Sequence, residues 1–432
     1  MQNHTDEGLI RGIRRWDLVA ITINGIIGAG IFGLPAKVYS LIGTYSIVAF
    51  VACALVVALI ILCFAEVGSR FDDTGGPYLY AREAFNPAVA FEIGWLIWLV
   101  RITAFAANCN LLINYLSFFS GSATNSVWRA AIIVFVVAVL CVINLLGIRQ
   151  AAIVSNVFTV GKLVPIILFC GAGLFFLNRG AFAFGPSPSS GAFSQSVLLL
   201  VYAFTGFEMA TIPAGEVREP QRNMPRALII ALFVVAVLYI LIQIVCVGTL
   251  PGLAQSQKPL ADAGSQFLGT AGGAIISAGA IISITGNLNI LLLTGSRLPF
   301  AMAEQKQLPA FLGNVHRSFF TPYISILLTA GLMLLLTLKS SFVTALTISA
   351  IARLVTYAAT CLALPVFRRR KDLPPALFHT PGGTIVAILA LVLIVWLLLN
   401  ATLHEARDAA LAAAAGLVIY FAYWLYSRSR AS

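Results

Sequence analysis

Charge is scarce in this sequence. Of 432 residues, 27 are Lys or Arg and 16 are Asp or Glu, together 10% of the chain, with four His besides. Soluble domains carry about 25% charged residues, so this chain lacks the groups that would cover a water-facing surface of its size, and a soluble fold is excluded. Chemistry-bearing motifs are missing as well. There is no HExxH, no GxSxG nucleophile elbow and no Walker P-loop, which removes support for hydrolytic or ATP-driven activity. His4, His316, His379 and His404 are isolated. The seven cysteines (Cys53, Cys63, Cys109, Cys141, Cys170, Cys246, Cys361) all fall in apolar stretches, and no two form a CxxC pair. That pattern argues against a zinc site or a disulfide framework, and they read as small buried hydrophobes. No catalytic residue, metal ligand or cofactor site is expected.

What is abundant is apolar sequence: 60% of the chain, with a mean hydropathy of +0.95. A bilayer needs roughly 20 apolar residues per spanning helix at about 1.5 Å of rise each. The chain divides into twelve such runs, near 17–40, 45–68, 84–119, 129–147, 153–177, 195–215, 226–250, 271–296, 323–338, 342–367, 384–401 and 409–427. Arg11, Arg14 and Arg15 ahead of the first run imitate a signal peptide, but the run is too long and eleven comparable ones follow, so it is kept as a span. The expected fold class is an all-α integral membrane protein of twelve transmembrane helices, with the bilayer as its solvent.

The cations set the orientation. With residues 1–16 and the C-terminus cytoplasmic, eighteen Lys and Arg fall inside, including the run Arg368–Lys371. Six fall outside: Lys37, Arg129, Arg179, Lys258, Lys339 and Arg407. This asymmetry accounts for the net charge of +11 without nucleic acid, and the Arg368–Lys371 run reads as a stop-transfer anchor. The expected location is a cell (inner) membrane. Asn400-Ala401-Thr402 matches a glycosylation acceptor formally, but abuts a span.

Two spans are interrupted. The first contains Gly28-Ala29-Gly30-Ile31-Phe32-Gly33-Leu34-Pro35, and the sixth contains Phe204-Thr205-Gly206-Phe207-Glu208 with Pro213 beyond. Such breaks release backbone groups that lipid cannot satisfy, so they survive where they line a cavity. Each opens a set of five spans, 17–177 and 195–367. Because five is odd, the second set enters the membrane from the opposite face: an inverted repeat, with 384–427 peripheral to it. The GxGxxG match at Gly28–Gly33 is not a dinucleotide site, since no strand precedes it and apolar residues 48–52 occupy the acidic position. Its amides at a half-helix N-terminus instead suit an anion such as a carboxylate. A packing role for the glycines is the alternative.

These segments, together with Ala65-Glu66-Val67-Gly68-Ser69-Arg70-Phe71, Gly75-Gly76-Pro77-Tyr78 and Glu216-Val217-Arg218-Glu219-Pro220-Gln221-Arg222-Asn223-Met224-Pro225, resemble the amino acid–polyamine–organocation (APC) family of transporters. The resemblance implies a LeuT-like 5+5 inverted repeat with discontinuous helices 1 and 6, carrying amino acids by alternating access. It places the substrate between Ile27, Gly28, Ala29, Gly30 and Ile31 of the first span and Tyr202, Ala203, Phe204, Thr205 and Gly206 of the sixth. The α-carboxylate would lie on the first-span amides and the α-amino group on sixth-span carbonyls, with Tyr202 either a gate or a packing residue. Lys162 would link carbonyls near Asn24 and Ile27 to Ser283, at the place sodium occupies in sodium-coupled relatives.

Ionisable residues at membrane depth are costly unless paired or functional; here they are Glu92, Arg101, Lys162, Glu208 and Arg353. Lys162 reads either as a proton carrier or as a permanently charged strut. Glu208 reads either as a proton-sensitive group or as a brace for the unwound segment. Arg101 and Glu92, nine residues apart, face opposite sides of a helix and do not pair. The expected function is secondary active transport: proton-coupled symport of a neutral amino acid, suggested by Ala29, Ile31, Thr205 and Phe207. The alternatives are exchange without proton coupling, or a permease for cationic amino acids or amines; Glu208 or Arg101 leave a charged substrate open. A membrane enzyme lacks its catalytic cluster, and a channel or sensor on the same fold would show no gradient-driven accumulation. The expected partners are the amino acid substrate, a proton in the symport reading, and lipid; the protein would be a monomer or homodimer.

Overall fold

The computed structural model describes residues 11–431 apart from 29, 117–118, 120–124, 257, 340–341, 373 and 400–402. Ala29 and the Asn400–Thr402 triplet's placement therefore lie outside the described residues. Among those described, the secondary structure is helical, and the sole extended pairing is an isolated parallel bridge between Ile13 and Val217. In order, the helices are α1 (Arg15–Ile26), α2 (Gly30–Ile42), α3 (Ser46–Gly68), α4 (Pro77–Ala84), α5 (Pro87–Leu116), α6 (Ser126–Leu145) and α7 (Ile148–Gly173). They continue with α8 (Ser190–Phe204), α9 (Pro220–Thr249), α10 (Pro259–Glu304), α11 (Tyr323–Lys339), α12 (Phe342–Arg369), α13 (Gly383–Leu399) and α14 (Leu403–Ala431).

Helix starts follow local chemistry. The Asp17 carboxylate accepts from the Arg14 amide (2.9 Å) at the start of α1. Asn125 and Ser189 side chains accept from Val127 and Ala192 amides at the starts of α6 and α8. Pro77, Pro87, Pro220 and Pro259 each open a helix, where a missing N–H costs nothing.

Among the described residues, six helical stretches are long and apolar enough to cross a bilayer: Gly30–Gly68, Pro87–Ile113, Ser126–Leu145, Ser190–Thr211, Pro220–Thr249 and Pro259–Glu304. Shorter apolar helices follow at Val160–Phe176, Tyr323–Lys339, Gly383–Leu399 and Ala410–Tyr423. The polarity of the molecule is inverted relative to a soluble protein. Phe175, Phe233 and Phe135 are 89%, 70% and 68% exposed, whereas Arg101, Arg297, Lys162 and Glu216 are 0% exposed. Apolar rings outside and ions inside require a lipid solvent, and the chain is a multi-pass membrane protein.

Several boundaries depart from the hydropathy reading. The run at 84–119 starts three residues before its helix: α4 ends at Ala84 and α5 begins at Pro87, because Pro87 disfavours helix at Asn86 and the Asn86 side chain caps α5 by accepting from Val89 N (2.9 Å). The run at 271–296 is the apolar part of the longer α10, which bends at Gly269 (φ 67°). The 259–268 segment is too short and, with Asp262, Ser265 and Gln266, too polar to register as membrane sequence. α5 and the apolar part of α10 are each preceded by a short helical piece, α4 in one case and 259–268 in the other.

α10 packs along α5 and α7, α12 lies against α5, and α3 and α1 lie against α9. The two interrupted segments meet inside this bundle.

Candidate functional site

The first break falls between α1 and α2. Ending a helix inside a membrane exposes its last carbonyls, each needing a donor. Here every carbonyl from Ile23 to Ile27 has one. Ile23 O accepts from the Ile27 amide (2.8 Å). Asn24 O accepts from Lys162 Nζ (3.2 Å) and Asn287 Nδ2 (3.0 Å), and Gly25 O from Asn287 Nδ2 (2.9 Å). Ile26 O accepts from the Gly28 amide (2.8 Å) and lies 3.2 Å from the Tyr239 hydroxyl. Ile27 O accepts from Lys162 Nζ (2.6 Å) and Ser283 Oγ (3.1 Å). Asn24 returns a bond to Gly286 O on α10 (3.0 Å). The fully buried Lys162 ammonium thus ties α7 to the unwound end of α1, with α10 sharing the same carbonyls.

The second break follows α8. Thr205 Oγ1 donates to Tyr202 O (2.7 Å), and Ala203 O lies 3.2 Å from the Tyr239 hydroxyl. The chain then turns through Gly206, whose φ of 110° suits glycine. A Cβ on Gly206 would sit 2.3 Å from Gly25 O, and one on Gly25 would sit 2.8 Å from Gly206 O. The two breaks therefore touch backbone to backbone, and glycine on both sides permits it.

Glu208 closes this second break. Its Oε2 accepts from the Gly206 amide (2.9 Å) and the Tyr357 hydroxyl (2.7 Å). Its Oε1 accepts from Arg101 Nη2 (2.9 Å) and forms an ion pair with Arg353 Nη1 (3.5 Å). Arg101 is paired with Glu208, a partner that spacing along its own helix did not reveal. The other membrane-depth acid, Glu92, faces Gly416 of α14 and has no hydrogen-bond partner among the described residues.

Between the breaks lies a cavity of about 320 Å³, counting the part open to the outside. The first break supplies Gly25, Ile26, Gly28 and Gly30; the second supplies Tyr202, Ala203, Thr205 and Met209. Ala104 and Asn108 of α5, Asn287 of α10 and Arg353 of α12 complete the wall. Asn108 Nδ2 donates to Asn287 Oδ1 (2.9 Å), and its own Oδ1 has no donor among the described residues.

Of the residues expected around a substrate, Gly28, Gly30, Tyr202, Ala203 and Thr205 line this cavity. Ile27, Ile31, Phe204 and Gly206 do not: Ile27 offers its carbonyl to Lys162 and Ser283, Phe204 packs edge-on to Tyr239, and Ile31 is buried elsewhere. The expected anion cradle also shifts. The Gly28 amide is committed to Ile26 O, so the amides without an acceptor in their own helix start with α2 at Gly30. Ile31 and Phe207, read as an apolar substrate lining, are fully buried away from the cavity; Thr205 of that set remains in it. Gly25, Ile26, Ala104, Asn108, Met209 and Asn287 were missed. Asn108 and Asn287 had a usable signal, since an amide inside an apolar span needs a partner there.

Towards the α4 end of the bundle, Arg368 is more than an anchor. It forms a bidentate pair with Glu66 (2.7 and 2.8 Å) and donates to Thr380 O (2.7 Å). Arg297 likewise grips Glu216 through two bonds (2.8 and 3.1 Å), both residues fully buried. In the following loop, Arg370 beside Asp372 holds that carboxyl below its usual range.

The amino acid permease family model matches residues 13–422. A serine/threonine exchanger of Bacillus subtilis is 30% identical over 403 residues, covering 90% of each chain. A methylthioribose transporter of the same organism is 28% identical, covering 98% of this chain and 94% of its own. The b(0,+)-type amino acid transporter 1 of Mus musculus is 28% identical, covering 97% and 88%. With helix breaks, cavity and matches taken together, the chain belongs to the amino acid permease family of APC transporters and is not an enzyme.

Proposed function

We propose that this chain is a secondary active amino acid carrier working by alternating access across a cell (inner) membrane, with both termini cytoplasmic. Its twelve spans form a LeuT-like five-plus-five inverted repeat with two peripheral helices. The observation that carries the reading is the cavity between the breaks: Gly30, the first residue of α2, lines it on one side, and Tyr202 and Ala203 at the end of α8 line it on the other. A half-helix N-terminus suits a carboxylate and a half-helix C-terminus an ammonium, which together are the invariant groups of an amino acid. The short helices before α5 and within α10 support the repeat, as they occupy corresponding positions in the two halves.

Coupling is assigned to Lys162. Its ammonium bridges α7 to the α1 break, so losing its proton would loosen Asn24 O and Ile27 O and free α1 to move. Proton symport is the leading form. Exchange is the second reading, supported by the similarity to a serine/threonine exchanger and by the double carbonyl seat, which also suits a permanently charged strut. Purified protein in liposomes separates them. Symport gives accumulation of labelled amino acid under an inward proton gradient with empty vesicles; exchange gives flux only into vesicles preloaded with amino acid. No saturable flux in either format removes the carrier reading.

A further inference from the structure

The two helix breaks supply the parts of the cavity that suit a carboxylate and an ammonium, but not its remaining wall. That wall comes from α5, α10 and α12, through Ala104, Asn108, Asn287 and Arg353. Ala104 and Asn108 stand four residues apart on α5, which puts both on one helical face. An amino acid held by its backbone groups at Gly30 and at the end of α8 turns its side chain to this third wall.

A chain of amides fixes the polarity there. Asn287 Nδ2 donates to Asn24 O (3.0 Å) and Gly25 O (2.9 Å) at the first break. The Asn287 oxygen is therefore the acceptor on its other side, and it takes Asn108 Nδ2 at 2.9 Å. Turning the Asn108 amide over would set oxygen against oxygen, so the orientation of both groups follows from the network. What is left over is Asn108 Oδ1. Asn108 is 4% exposed, and among the described residues lining the cavity it carries the one buried side-chain oxygen without a donor. A buried carboxamide oxygen with no donor is costly, and in a carrier the missing donor can arrive with the cargo.

Resting on the amino acid carrier reading above, we propose that Asn108 determines specificity: its Oδ1 accepts a hydrogen bond from the substrate side chain, which ends in a hydroxyl or a carboxamide. An aliphatic side chain of equal size leaves that oxygen unmet, and a site built to bond a polar group rejects the isostere that lacks it. An acidic side chain brings a second acceptor to an acceptor. A cationic one is left with a neutral partner, which does not offset the burial of a charge.

The competing roles for Asn108 are to brace Asn287 or to hold the α-amino group, and neither distinguishes one side chain from another. Counterflow in proteoliposomes decides, independently of proton coupling, using three near-isosteric pairs: L-serine and L-alanine, L-threonine and L-valine, L-asparagine and L-leucine. The expected result is exchange of at least one polar member about tenfold or more above its apolar partner, with that ratio falling to about one in Asn108→Leu. Exchange of the apolar member as fast in all three pairs by the unaltered protein overturns the proposal. So does a ratio that survives in Asn108→Leu because both members slow in equal proportion. If Asn108→Leu does not fold, Asn108→Ala is read in the same way. If neither folds, thermal stabilisation of the unaltered protein takes their place: a larger shift with the polar member of a pair supports the proposal, and equal or smaller shifts in all three overturn it. Flux of other amino acids with none of the polar members defeats this inference alone, whereas absence of any amino acid flux defeats the carrier reading too.

Discussion

The two helix breaks solve one problem with opposite charges. At the first, a cation, Lys162, caps exposed carbonyls of Asn24 and Ile27. At the second, an anion, Glu208, caps the exposed amide of Gly206. The surroundings differ more than the caps. Lys162 shares its carbonyls with the neutral Ser283 and Asn287, whereas Glu208 is held by Arg101, Arg353 and Tyr357. A cation seated on neutral carbonyls is the easier of the two to discharge, since loss of its proton leaves no unpaired ion behind. Protonating Glu208 would remove the carboxylate charge that Arg101 and Arg353 share. We therefore propose that the first break switches and that the second, braced by Glu208, stays fixed.

Substitutions can break that contrast. The largest effect is expected from Lys162→Ala: net uptake in proteoliposomes is abolished, while amino acid binding stays measurable by thermal shift. Normal, pH-dependent uptake by this variant would remove Lys162 from the coupling role. Next comes Glu208→Gln, which keeps an acceptor near Gly206 but removes the charge that Arg101 and Arg353 share. A loss of about 3–5 kcal/mol is expected for breaking such a buried pair, read as a steep fall in melting temperature in detergent. An unchanged melting temperature would make the second break as dischargeable as the first.

Smaller changes sharpen the contrast. Tyr357→Phe removes one hydrogen bond to a charged acceptor, for an expected loss of about 2 kcal/mol, and should leave any pH dependence of uptake unmoved. Ser283→Ala removes a neutral donor from Ile27 O, which retains Lys162. It should cost about 1 kcal/mol while shifting the pH dependence of uptake, because Lys162 then serves that carbonyl alone. If Tyr357→Phe moves the pH profile and Ser283→Ala does not, the roles of the breaks are reversed.

Much of the first break was legible in the sequence. A Gly-rich interruption in an apolar run and a lone Lys162 in another are local signals, and resemblance linked them to Asn24, Ile27 and Ser283. The second break was half legible. Glu208 stood out, but its partners Arg101, Arg353 and Tyr357 lie 107, 145 and 149 positions away on other helices. Periodicity along α5 could exclude Glu92 as Arg101's partner without naming the right one. Hydropathy also misjudged what is not strictly apolar: α4, the 259–268 segment, and the amides Asn108 and Asn287, which complete the cavity from α5 and α10. Ile31 and Phe207 misled for the complementary reason. Their apolar character fits a cavity wall and a packed core equally, and both are packed core.

The central claim, that an amino acid sits in the cavity where both breaks meet, is tested most directly by Thr205→Cys. All seven native cysteines are buried, so a thiol at this cavity-lining position is the one a small methanethiosulfonate reagent should reach in the folded protein. The account predicts that labelling of Thr205→Cys is blocked, in a saturable manner, by the amino acids the protein transports. Labelling that proceeds unchanged in the presence of a saturating transported amino acid would contradict it.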